Sequence, residues 1–487
     1  MENSMEVQEN EFKKLIIAAK KTEWGKKFGY SNINSIKEFQ NRVPISGYED
    51  IYPFIERMMN GEQNILWHSP IRWFSKSSGT TNSRSKFIPV SVESLRKTHI
   101  QGGKDLIALY THNKPDTKIF TGKGLSIGGS LQQHLPGSDI YTGDVSAIMM
   151  KNLPMWAQFA RTPNLDVALM GEWESKIKKM AEITVNQNVT SILGVPTWTI
   201  VLLQQILEIS RKENVLEIWK NFEVFCHGAV SFDPYRELFN KKFFPSNSIS
   251  YMEIYNASEG YFGLQDRLSV PDMLLMLDYG IFYEFIPIEE EQKDFPKALT
   301  IDEVEAGKNY AIVISTNAGL WRYKIGDTVK FTSVKPYRIK ISGRTKHFIN
   351  AFGEEVIVEN ADVAVTEACK KTNAVIANYT AAPVYMQHGK RGGHEWIIEF
   401  AQEPSNMQDF IHTLDSKLRA VNSDYDAKRY KDMALQIPIV HQVPKGTFYN
   451  WMKKRNKLGG QHKVPRLSNS REYVDEILSM LEIGITK

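Results

Sequence analysis

Residues 9–22 set Phe12, Leu15, Ile16 and Ala19 at helical spacing among lysines and glutamates, which predicts an amphipathic helix near the N-terminus. Residues 48–60 predict a second helix, stopped by Gly61. Ile71-Arg72-Trp73-Phe74 and Phe87-Ile88-Pro89-Val90 are short runs rich in aromatic and β-branched residues, so two strands joined by a hairpin-like loop are expected there. Ser91 is placed to cap a helix running through Leu95 and Leu106 to Tyr110, with an interruption expected at Gly102-Gly103.

Lys118-Ile119-Phe120 and Leu125-Ser126-Ile127 read as strands ending in Gly128-Gly129-Ser130. Residues 173–209 alternate helix, short strand and helix, and Phe222-Glu223-Val224-Phe225-Cys226 and Ser248-Ile249-Ser250-Tyr251 are further buried-strand patterns. This alternation predicts an α/β domain. From Gly280 to Val329 successive strands (Phe282-Tyr283-Glu284-Phe285, Tyr310 to Ile314, Asp327 to Phe331) are punctuated by Gly, Pro or acidic turns, which predicts a small antiparallel β-barrel or sheet. A boundary at Ser342-Gly343-Arg344 divides the chain into a large N-terminal domain, residues 1–342, and a smaller α+β C-terminal domain, residues 343–487. The second domain is expected to hold helices around 359–370 and 406–421 and strands near 374–378 and 396–400.

Composition narrows the class. The chain has 487 residues, 42% hydrophobic and 24% charged, as in soluble globular proteins of two or three domains. A net charge of +4 argues for neither a nucleic acid nor a membrane partner. The acidic, polar N-terminus lacks the pattern of a signal peptide, and no apolar run approaches the ~18 residues of a membrane span. Cys226 and Cys369 are too few for a disulfide framework, so a reducing, cytoplasmic location is expected. No obligate protein partner is indicated.

The chemistry concentrates in Ser77-Ser78-Gly79-Thr80-Thr81-Asn82-Ser83-Arg84-Ser85-Lys86. Hydroxyls and backbone N–H groups freed by Gly79 can surround phosphate oxygens, and Lys86 adds a point charge. By composition alone the same string fits an ordinary polar surface turn. A P-loop of the form G-x-x-x-x-G-K-[ST] is absent from the sequence. Tyr255-Asn256-Ala257-Ser258-Glu259-Gly260 offers a ring to stack on adenine, a hydroxyl for phosphate and a carboxylate for Mg²⁺, or else a common turn. Arg322-Tyr323-Lys324-Ile325-Gly326-Asp327 places a carboxylate after a glycine, suited to ribose hydroxyls or to capping a turn. Gly343-Arg344-Thr345-Lys346 supplies two cations at the proposed boundary, which also suit a solvated surface.

In this order the segments resemble the adenylate-forming superfamily of acyl-CoA ligases, luciferases and peptide-synthetase adenylation domains. With Lys86-Phe87-Ile88-Pro89, Trp321-Arg322-Tyr323-Lys324-Ile325-Gly326-Asp327, Gly446-Thr447-Phe448 and Gln461-His462-Lys463-Val464-Pro465-Arg466, the chain is similar to the plant auxin-responsive, Gretchen Hagen-type acyl-acid amido synthetases and their bacterial relatives. The resemblance implies a large multi-subdomain N-terminal adenylation domain and a smaller mobile C-terminal domain turning about Lys346. It implies ATP and Mg²⁺, a small carboxylic acid and an amino acid as substrates, and an amide product formed through an acyl-adenylate. Ser77, Ser78, Gly79, Thr80 and Thr81 then hold phosphates, Tyr255 stacks on adenine, Ser258 touches phosphate, and Asp327 and Arg344 bind the ribose. Glu259 holds the metal and Lys463 reaches the carboxylate and α-phosphate. Ser83 and Asn256 stand where relatives carry glycine.

The resemblance also places Leu193-Gly194-Val195-Pro196-Thr197-Trp198 and Cys226-His227-Gly228-Ala229 beside the acid, with Trp198 equally suited to the core and Cys226 and His227 to packing. The basic tract of residues 428–466 is expected around the anionic adenylate. An acyl-CoA ligase and a non-catalytic nucleotide-binding protein are the competing readings.

Overall fold

The computed structural model describes residues 3–77, 86–230, 232–268, 270–291, 293, 295–344, 348–387, 391–430, 434–455 and 464–485. The predicted N-terminal helix spans Ser4–Ala19 and buries Phe12, Leu15, Ile16 and Ala19, as its spacing requires. It also buries Gln8, whose amide donates to the carbonyls of Leu277 and Ile281 and accepts from the N–H of Tyr283. Every polar atom of that side chain thus ties the helix to the sheet beneath it. The second helix, Tyr48–Met59, starts where Asp50 accepts the Gly47 N–H at 2.8 Å and ends before Gly61, whose φ of +100° only glycine adopts readily.

Among the described residues, fifteen strands run up to the predicted boundary, the last of them crossing it: Trp73–Ser77 (β1), Lys86–Val90 (β2), Lys123–Ser126 (β3), Leu131–Gln133 (β4), Tyr141–Gly143 (β5), Arg161–Thr162 (β6), Val189–Gly194 (β7), Val224–His227 (β8), Ser250–Ala257 (β9), Gly260–Leu264 (β10), Met273–Leu275 (β11), Ile281–Pro287 (β12), Asn309–Thr316 (β13), Tyr323–Val334 (β14) and Tyr337–Arg344 (β15). The expected hairpin is real: β1 and β2 pair antiparallel, and with β5 and β4 they form a four-stranded sheet. Eleven strands form the main sheet in the order β12-β13-β14-β15-β11-β10-β9-β8-β7-β3-β6. The β9-β8-β7-β3-β6 end is parallel and the remainder antiparallel. The strands expected to make a small barrel therefore do not form a sheet of their own. β10 pairs with β9 and β11 with β15, so the antiparallel ladder continues the parallel one.

Two local expectations need correction. Lys118-Ile119-Phe120 leads into a 3₁₀ turn, Ile119–Thr121, and not a strand. The helix capped by Ser91 is not interrupted at Gly102-Gly103, which lie inside the helix Gln101–Asn113; its irregularity is a π turn at Leu95–Ile100. A Cβ on Gly102 would sit 2.6 Å from the Tyr261 ring, so this glycine lets helix and sheet approach closely.

Beyond β15, Phe348–Ile349 (β16) pairs with Val356–Ile357 (β17), and Val375–Val384 (β18), Gly393–Gln402 (β19) and Ile439–Val443 (β20) form a three-stranded sheet. The helices Val358–Thr372 and Met407–Val421, close to their expected positions, pack against each other and touch this sheet through Asp362–Tyr379 and Phe410–Phe400. One apolar core runs from Leu125 and Trp198 through Phe352 and Trp396 to Leu467. Tyr235 Oη donates to the Ala351 carbonyl at 2.7 Å and Thr197 Oγ1 to that of Phe352 at 3.2 Å. Among the described residues no helix is long and apolar enough to cross a membrane.

Candidate functional site

A cavity of about 1330 Å³ opens at the carboxyl ends of β3, β7, β8 and β9, between the two large sheets and the helix Ser423–Arg429. That end of a parallel sheet is where α/β folds bind ligands, because strand-to-helix loops leave a crevice there. The volume exceeds what most single small molecules fill.

Ser77 closes β1 and lines this cavity, as does Lys86, the first residue of β2. Ser78, Gly79, Thr80, Thr81 and Ser83 lie outside the described residues, as do Lys346 and Lys463. The hydroxyl strand is joined to the Tyr255–Gly260 segment directly: Ser75 Oγ donates to Ser258 Oγ at 2.8 Å across 183 positions of sequence. Ser258 and Glu259 occupy the turn between β9 and β10 and face the same cavity.

Tyr255 is buried, packed against Phe262 with ring centroids 4.8 Å apart, and its hydroxyl donates to Asp327 Oδ2 at 2.6 Å. Two motifs 72 positions apart therefore meet through one charge-assisted hydrogen bond. Asp327 sits on β14 directly opposite Arg344 on β15, after Gly326 with its φ of +92°. Tyr255, Ser258, Glu259 and Asp327 all line the cavity.

The remaining walls combine apolar and titratable groups. Trp198 is both core and wall, buried and stacked on Trp173 at 4.0 Å. The His227 and Phe232 ring centroids lie 4.2 Å apart, the His227 Nδ1 has no hydrogen-bond partner among the described residues, and burial holds this histidine neutral with a pKa lowered to about 3. Burial pushes the neighbouring Cys226 thiol up to about 12, which makes it a packing residue and not a nucleophile. His99 likewise lines the cavity, lowered to about 4 by burial while its Nδ1 lies 3.1 Å from Asn256 Oδ1.

The basic tract is mostly structural. Arg429 pairs with Asp415 inside the C-terminal core, Arg455 bridges Glu472 and Glu476, and Arg466 covers the Tyr379 ring. Of its described cations, Lys428 alone lines the cavity, 5.6 Å from the Trp198 ring. Its neighbour Asp424 also faces the cavity; burial raises its pKa, and Lys76 of β1 and Asp144 act on it across the gap. Lys428 opens the basic tract expected around the adenylate, whereas Asp424, on the same short helix, carries no local sequence signal.

Comparison with known proteins accounts for most of the chain. Residues 1–249 match the GH3 family N-terminal domain, residues 274–344 the GH3 family central domain and residues 359–472 the GH3 family C-terminal domain. The jasmonoyl-L-amino acid synthetase GH3.5 of Oryza sativa subsp. japonica is 25% identical over 97% of this chain and 94% of its own length. Among solved structures, the GH3.15 acyl acid amido synthetase superposes with a TM-score of 0.61 at 18% identity, covering 98% of this chain and 93% of that one. A 2-hydroxyisobutyryl-CoA ligase in complex with its acyl-AMP and CoA shares the fold, with a TM-score of 0.58 at 12% identity over 99% of this chain and 92% of the other.

Proposed function

The chain belongs to the GH3 family, and from that premise we propose that it is an ATP-dependent acyl-acid amido synthetase acting on a small carboxylic acid and an amino acid. The observation that carries the reading is the joining of the hydroxyl strand, the Tyr255–Glu259 segment and Asp327 around one cavity, through the Ser75–Ser258 and Tyr255–Asp327 hydrogen bonds. In the first half-reaction a carboxylate oxygen of the acid attacks the α-phosphorus of ATP and the bond to pyrophosphate breaks. In the second the amine nitrogen attacks the acyl carbon, the bond to AMP breaks and the nitrogen loses a proton.

The difficulty of the first step is the approach of two anions. Ser77, Ser78, Thr80 and Thr81, with the Gly79 backbone, hold the phosphates, and Ser258 adds a further hydroxyl. Tyr255 and Asp327, tied to each other, fix adenine and ribose as a unit with Arg344. Lys463 meets the carboxylate and the α-phosphate.

Among the described residues no group of three or more His, Cys, Asp or Glu stands ready to hold a metal. Glu259, one of several carboxylates lining the cavity, fits Mg²⁺, which is commonly held by one or two carboxylates together with substrate phosphates. Bound there, Mg²⁺ supplies charge neutralisation on the triphosphate. The free thiols of Cys226 and Cys369 support a reducing, cytoplasmic setting.

Acid-dependent exchange of pyrophosphate into ATP, followed by addition of either an amino acid or coenzyme A, tests the reading. The expected result is exchange, with AMP release on adding the amino acid. Release only with coenzyme A would make the chain a thioester ligase, and no exchange with a broad panel of acids would leave a binding protein. Lys463→Ala is expected to abolish exchange while nucleotide affinity, measured by calorimetry, stays within about threefold of wild type.

A further inference from the structure

Arg161 stands on β6, the outermost strand of the parallel end, with 7% of its surface exposed, and it lines the cavity. Its one hydrogen bond among the described residues runs from Nη2 to Met150 Sδ at 3.0 Å, and a thioether is a weak acceptor. Its Nε, also buried, finds no acceptor among the described residues. No described carboxylate lies within ion-pairing distance. Lys176, fully buried, stands close enough for the two cations to repel, and its ammonium is spent on the carbonyls of Gly128 at 2.5 Å and Gly129 at 2.9 Å. Asp144 acts on Lys176, and its Oδ2 accepts the Ser130 N–H at 2.8 Å. Burial alone pulls the Arg161 guanidinium below its ordinary pKa.

An arginine buried for packing brings its carboxylate with it, because an uncompensated buried charge costs several kcal/mol. Here no described residue supplies the compensating anion, and Arg161 lines the cavity. Its position selects which anion. Four strand spacings, about 19 Å, separate β6 from β9, which leads into Ser258 and Glu259. The reacting carboxylate must meet the α-phosphate near β9, and an amino acid's carboxylate lies only two bonds from its reacting nitrogen. The far end of the acid remains. The lining between includes the apolar side chains of Leu125, Ile127, Ile192 and Met149, interspersed with Ser126 and Ser191.

We propose that Arg161 receives the second carboxylate of the acyl substrate, which is therefore a dicarboxylic acid with an apolar spacer. Assigning that acid as the group adenylated rests on the function proposed above; the pairing of Arg161 with a carboxylate does not.

Calorimetry on the full chain with azelate, monomethyl azelate, nonanoate and succinate, repeated on Arg161→Gln and Arg161→Met, tests the assignment. Wild type is expected to bind azelate at least thirtyfold more tightly than its monomethyl ester or nonanoate, and succinate poorly because it is too short to span the site. Both variants should lose that preference and keep their affinity for nonanoate. A wild type indifferent to the second carboxylate overturns the proposal without any variant having to fold, and a preference that survives in either folded variant overturns it too. Pyrophosphate exchange on the same acids separates the two readings. Arg161-dependent azelate binding without exchange would refute adenylation and leave the carboxylate site standing. Exchange driven equally by nonanoate and azelate would do the reverse.

Discussion

Arg322 and Arg161 are both buried, one toward each end of the eleven-stranded sheet, yet their surroundings are opposite. Arg322, just before β14, donates from Nε and Nη2 to the two carboxylate oxygens of Glu284 at 2.9 and 2.8 Å, and from Nη1 to the carbonyls of Gln40 at 2.8 Å and Val43 at 2.7 Å. Those contacts fasten the N-terminal helices to the antiparallel ladder. Arg161, on the parallel edge, has a thioether and an open cavity. A fully partnered charge stabilises a fold; one left unpartnered among buried groups marks a place where something outside the chain completes the site.

Breaking the partnered arginine should be the costlier change. Arg322→Leu strands the Glu284 carboxylate and is expected to lose about 3–5 kcal/mol, read from the denaturant midpoint. Arg161→Leu orphans no carboxylate and should lose less than about 1 kcal/mol on the same measurement. Similar losses would erase the contrast.

Tyr255→Phe tests the middle of the sheet, where a hydrogen bond is both structural and part of the site. Removing the hydroxyl at 2.6 Å from Asp327 should cost about 1.5–3 kcal/mol, the range for bonds to a charged group, and weaken ATP binding measured by calorimetry. A loss of stability with unchanged ATP affinity would class Asp327 with Arg322.

The smallest effect is a pH dependence. His99 and His227 line the cavity and are held neutral, with pKa values lowered to about 4 and about 3, whereas in the unfolded chain each titrates near ~6.5. Below that value the unfolded state binds the additional protons, so stability must fall as pH drops from about 6.5 toward 5, by up to about 1.4 kcal/mol per pH unit for each histidine. Denaturant melts of His99→Gln should show that slope reduced by one histidine's share. An unchanged slope would mean that His99 takes up protons in the folded state.

Much of this architecture was legible because local pattern and tertiary role coincide. The antiparallel pairing of β1 with β2, the helices ending at Met59 and Val421 and the parallel strands follow from a periodicity that the fold obeys. The errors arose where contact overrode propensity. Gly102-Gly103 reads as a break, but Tyr261 needs the space. The tract of residues 428–466 reads as one basic surface, but Asp415, Glu472 and Glu476, from two other helices, claim Arg429 and Arg455.

By itself the sequence determined the order of the elements, the family and the residue types the chemistry needs, since hydroxyls, carboxylates and glycines at fixed spacings carry their capability with them. Only the tertiary structure decided which of these groups meet. A hydrogen bond across 183 positions, a tyrosine holding an aspartate 72 positions away and the lack of a carboxylate partner for Arg161 among the described residues are facts about neighbours in space. The chain order contains none of them, because an arginine looks the same in sequence whether its charge is answered by the protein or left open to a ligand.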